Sequence, residues 1–124
     1  MKQSLLLTMA SLLSILLMTF HMTADYLHAP SEMPQGVFLT VVLVLVVWLY
    51  GTLVLAERRS GYVIIILGAL SAVGMPILHT MGAGIAPARG AFFVWTLLAL
   101  GVTGVFSLLL SVHGLWRRPW LQPR

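Results

Sequence analysis

Four stretches of this chain, residues 5–20, 37–55, 62–78 and 91–112, contain no Asp, Glu, Lys, Arg or His. Nothing else in the sequence restricts the fold as severely. A helix rising 1.5 Å per residue crosses the hydrocarbon of a bilayer in about 20 residues. Each run, taken with its polar flanks, is close to that length. The second run, rich in valine and leucine, has the composition of a buried strand, but strands end after about 4–8 residues and this run does not. In lipid, a segment must also satisfy its own backbone hydrogen bonds, which leaves the helix as the fitting element. The expectation is therefore an all-α polytopic membrane protein, one domain over 1–124. Four transmembrane helices near 4–28, 36–56, 61–80 and 91–115 form an up-down-up-down bundle.

Composition agrees. Only 8% of residues are charged and 60% are hydrophobic, with a mean hydropathy of +1.01, whereas about 25% charge is ordinary for a soluble chain. The net charge of +4 does not imply nucleic acid. Lys2, Arg58, Arg59, Arg117, Arg118 and Arg124 lie at the ends of apolar runs, where basic residues set topology. The partner that composition names is the lipid bilayer. No cysteine is present, which removes disulfides, thiolate metal sites and cysteine nucleophiles.

The segment Ala56-Glu57-Arg58-Arg59-Ser60-Gly61 reads as a charged turn between the second and third runs. It shares one side of the membrane with the N-terminus and with the Trp116-Arg117-Arg118-Pro119-Trp120 anchor. Arg89 is the one basic residue expected on the other side. The positive-inside rule then predicts cytoplasmic N- and C-termini, with a plasma (bacterial inner) membrane as the expected location. The first run begins after Lys2 and is leucine-rich, as signal peptides are. Its length exceeds the usual h-region of about 7–15 residues, so a retained helix is expected.

Two rows of small residues, Gly68-Ser71-Gly74 and Gly101-Gly104-Ser107, predict close packing of the third helix on the fourth. Pro76 falls near the end of the third run and removes a helical hydrogen bond there. The segment His79 to Gly84 is expected to lead into a glycine- and proline-containing loop.

The ligand-capable side chains gather on the face opposite the arginines. His21, Asp25 and His28 are spaced i, i+4, i+7 on one helical face, and His79 ends the third run at the same level. Two imidazoles and a carboxylate can hold a divalent metal, with His79 as a fourth ligand. Met22, Met33, Met75 and Met81 lie at similar depth, and imidazole with thioether suits copper better than zinc. His21 with His79 is also the one pair that could ligate a b-type haem.

Other classes fit less well. The length and four-helix plan resemble the small multidrug exporters, whose first helix carries a central glutamate. Here that helix has only Thr8, Ser11, Ser14 and Thr19 as polar interior residues, so the proton-coupled mechanism has no carrier. Gly82-Ala83-Gly84 lacks the strand, helix start and lysine of a phosphate loop. No catalytic residue set is recognisable. The functional expectation is a non-enzymatic accessory or structural membrane subunit, associating with itself or with another membrane protein. The alternative is a copper-, zinc- or haem-binding protein using His21, Asp25, His28 and His79.

Overall fold

The computed structural model describes residues 2–28, 34–83 and 90–117. Four helices account for nearly all of them: α1 (Lys2–His28), α2 (Gln35–Leu53), α3 (Arg59–Leu78) and α4 (Gly90–Trp116). All four are long and apolar enough to cross a membrane, and no strand occurs among the described residues. Hydroxyls that face outward are satisfied inside their own helix. Thr23, Thr40 and Ser71 donate to the carbonyls four residues back, Thr19, Gly36 and Leu67. That bond removes a polar group from lipid without a partner helix.

Sequential helices are neighbours, and α4 closes the bundle against α1. The interface of α3 with α4 is the broadest, followed by α1 with α4. α1 and α3 stand on the diagonal and meet over a short stretch. One end of the bundle carries Lys2, the α2–α3 turn and Arg117; the other carries His21, Pro34, His79 and Gly90.

The connections depart in detail from the sequence reading. α2 stops at Leu53 and α3 starts at Arg59, so Ser60 and Gly61 are helical and the turn runs from Val54 to Arg58. Glu57 adopts φ +64° in that turn, a left-handed conformation costly for any residue with a Cβ. Gly61 lies against the Leu55 carbonyl, where a side chain would collide. The tightness of the turn therefore depends on this glycine inside the first turn of α3. At its other end, α3 runs through Pro76 and continues as a π-turn, His79–Ala83. The expected loop thus begins later than anticipated, and Gly84 and Arg89 lie outside the described residues.

Packing follows small residues, but not along the anticipated rows. Gly104 does face α3, against Ala72 and Val73, and Gly101 approaches Pro76. On α3, however, Ala69 and Ala72 are the fully buried small residues. Gly68 instead receives the indole of Trp48 from α2, Ser71 is exposed, and Gly74 has open space beside it. Positions three apart on a helix rotate by about 60° at each step, so one such row cannot remain on one interface. Trp48 and Tyr50 divide accordingly: Trp48 is buried at 1% exposure, while Tyr50 is half exposed to the surroundings of the bundle.

A candidate metal centre at the histidine end

Three ligand-capable side chains meet where α1, α3 and α4 converge. His21 and Asp25 project from successive turns of α1, and His79 comes from the first residue of the π-turn after α3. The Asp25 Oδ2 atom is 3.7 Å from His21 Nε2 and 3.4 Å from His79 Nε2. One ligand atom from each residue lies within 4.8 Å of the other two. His21 is fully buried, and the side chains of Asp25 and His79 are each 12% exposed.

The orientation of His79 follows from one hydrogen bond. Its Nδ1 lies 3.0 Å from the Met75 carbonyl oxygen. A carbonyl only accepts, so Nδ1 carries the hydrogen and donates it. Nε2 is thereby turned to Asp25. A carboxylate oxygen and an imidazole nitrogen at 3.4 Å are both electron-rich, and a positive species resolves their juxtaposition: a proton on Nε2, or a metal ion bound by both. Donation of the remote ring nitrogen to a carbonyl is also the usual way a ligating histidine is held. Pro76 supplies no N–H to the helix, and the local change to π geometry carries His79 at this position. Such π segments are frequent at functional sites.

Phe93 of α4 forms the apolar wall. Its ring centroid is 4.7 Å from that of His21 and 5.4 Å from that of His79, and the two imidazoles stand edge to face at 5.0 Å. With Phe93 buried at 2% exposure, the inner side of the cluster is closed to water. The side bearing Asp25 and His79 is the accessible one.

Of the four residues picked out by spacing and depth, the structure brings together His21, Asp25 and His79. His28 lies on α1, but its side chain is outside the described residues, as are Glu32 and Met33 entirely. Met22 and Met75 pack against the apolar core, and Met81 is 83% exposed. Sequence reasoning missed Phe93 and the Met75 carbonyl. An aromatic pair, Phe92-Phe93, at the start of the fourth run was a signal for the former. Which ring turns inward is not encoded in the pair itself.

An apolar cavity of about 680 Å³ lies elsewhere. It is an open, nearly all-apolar groove between α1 and α4, lined by Leu13, Phe20, Phe92, Trp95 and Val102 among others. None of the three cluster residues lines it, and its surface suits lipid rather than polar chemistry. No family model matches the chain, and no significant match is found among curated proteins or solved structures.

Proposed function

We propose that this protein is a small, non-enzymatic accessory protein of the plasma membrane that binds a divalent transition-metal ion through His21, Asp25 and His79. The observation that carries the reading is the convergence of those three side chains from two helices on the bundle diagonal. His21 and Asp25 lie within the candidate span Ser4–Leu27, with His21 fully buried, and an ionisable residue inside a membrane span reads as a functional site by default. A purely structural role would be served as well by apolar side chains at these positions.

The donor chemistry favours an ion over haem. The imidazoles are 5.0 Å apart between centroids, with Asp25 close to both, an arrangement with no slot for a porphyrin plane. It also favours a zinc-class ion over cuprous copper. The donors at hand are two nitrogens and an oxygen, whereas soft thioether ligands select Cu(I). Charge placement supports an orientation with both termini cytoplasmic and the cluster on the outer face. A membrane partner, a second copy or another protein, would meet α2, the helix with the smallest share of its surface inside the bundle.

Elemental analysis after mild detergent purification tests the proposal. One equivalent of zinc-class metal is expected, lost on washing of a His21→Ala, His79→Ala double variant that still folds. Protein that takes up no metal at neutral pH, with zinc and copper both offered, removes the metal-binding role. A reporter fused after Arg59 should behave as cytoplasmic; an external signal would reverse the orientation.

A further inference from the structure

We infer that the centre is an open one: three protein donors hold the ion, and its fourth position faces the aqueous phase beside Asp25 and His79, where it takes an exchangeable donor. This rests on the metal-binding reading above and extends it to what the bound ion can do.

Three observations lead there. The first is spacing. A tetrahedral ion with bonds of about 2.0–2.2 Å sets its donors about 3.3–3.6 Å apart. The two carboxylate–imidazole separations, 3.4 and 3.7 Å, are close to tetrahedral edges, and side-chain rotation within the 4.8 Å cluster brings in the remaining pair. The second is the donor count. Two histidines and an aspartate are the described His and acidic residues in the cluster. Structural zinc sites are closed by four protein ligands, whereas three protein ligands with a water describe sites that react or exchange.

The third is the asymmetry of burial. His21 is fully buried, and the Phe93 ring contacts both imidazoles, tilted against His21 and edge-on to His79. Asp25 and His79 retain exposure. An ion placed among the three donors is thus shielded from the bundle interior and reachable from the membrane surface. The exchangeable donor is an anionic or imidazole group presented from water, the kind of contact through which a metal is received or handed on. An ion bound this way also ties α1 to α3, helices that otherwise touch over a short stretch.

Cobalt(II) is the probe. The detergent-solubilised full chain is loaded with Co²⁺, and its visible spectrum is recorded during titration with azide and, separately, with free imidazole. Saturable spectral shifts are expected with both, reversed on dialysis, and the cobalt bands should disappear on addition of one equivalent of Zn²⁺. Uptake of cobalt with a spectrum indifferent to azide and imidazole would overturn the open site, because a fourth protein donor would then occupy the position. No uptake of cobalt, zinc or copper would remove the metal-binding reading and this inference together. The Asp25→Asn variant adds a second check. Under the open-site assignment it keeps its fold while its affinity for Co²⁺ falls at least 10-fold; unchanged affinity would exclude Asp25 as a ligand and overturn the three-donor assignment.

Discussion

Two of the polar regions inside this bundle solve the same physical problem in opposite ways. Nearer the arginine end, Trp48, Ser11 and Thr52 join α2 to α1. The indole Nε1 donates to Ser11 Oγ at 2.9 Å, and Ser11 and Thr52 hydroxyls lie 2.7 Å apart. Thr52 Oγ1 donates back to the Trp48 carbonyl at 2.9 Å. Because the Thr52 hydrogen is committed to that carbonyl, Ser11 is the donor to Thr52. The three bonds make a complete circuit in which each donor has an acceptor. At the histidine end, about ten residues and 15 Å further along α1, the geometry is different. The Asp25 carboxylate lies 3.7 Å from His21 Nε2 and 3.4 Å from His79 Nε2. The first region closes on itself and holds helices together. The second gathers ligand-capable groups of α1 and the end of α3, and under the proposed function it is where a metal ion binds.

Substitutions put that contrast to the test. The largest effect is expected from His79→Ala, which removes a donor and the α1–α3 bridge. Metal affinity should fall by more than the about 10–100-fold that loss of a ligand's outer-shell partner costs, while thermal unfolding of the metal-free protein changes little. An equal loss of metal-free stability would make the cluster a structural feature like the hydroxyl circuit. Metal binding should also weaken as pH is lowered, because imidazole must be neutral to ligate; isothermal titration at several pH values reads the trend.

Gly68→Leu is expected to act in the reverse sense. A side chain there meets the Trp48 indole, and overpacking of this kind costs about 1–3 kcal/mol. Unfolding in detergent should register the loss, with metal stoichiometry retained. Trp48→Phe keeps an aromatic ring but deletes the donor to Ser11 and part of the volume packed against Gly68. Interhelical hydrogen bonds in membrane proteins average about 0.6 kcal/mol and reach about 1.7 kcal/mol, so a destabilisation of at least about 0.6 kcal/mol is expected, with the lost volume adding to it. The smallest change, and a control outside both regions, is Glu57→Gly. It relieves the φ of +64° and should stabilise by up to about 1 kcal/mol in the same unfolding assay, with no change in metal affinity.

Much of the site is legible in the amino-acid order. His21 and Asp25 are neighbours on any helix because four residues make about one turn, and four spans of similar length place the end of α3 at the level of the end of α1. The hydroxyl circuit is less so. Ser11, Trp48 and Thr52 are ordinary residues of apolar helices, and nothing in their spacing says that α2 turns Trp48 inward and Tyr50 outward. Likewise, Gly68 could be read as a contact with α4, when the volume it leaves is filled by Trp48.

The number of spans, their approximate ends and the clustering of ligand-capable residues at one end follow from the order of residues alone. They rest on large terms: lipid excludes charge and leaves no backbone polar group unpaired. How each helix is rotated about its axis is settled in the packed bundle, and with it the Ser11–Trp48–Thr52 circuit, the Phe93 wall and the aim of His79 Nε2. In lipid, an apolar side chain gains little by turning from solvent to core, because both are hydrocarbon-like. Rotation is set instead by a few close approaches at small residues and a few polar pairs across helices, which exist only when the helices are side by side.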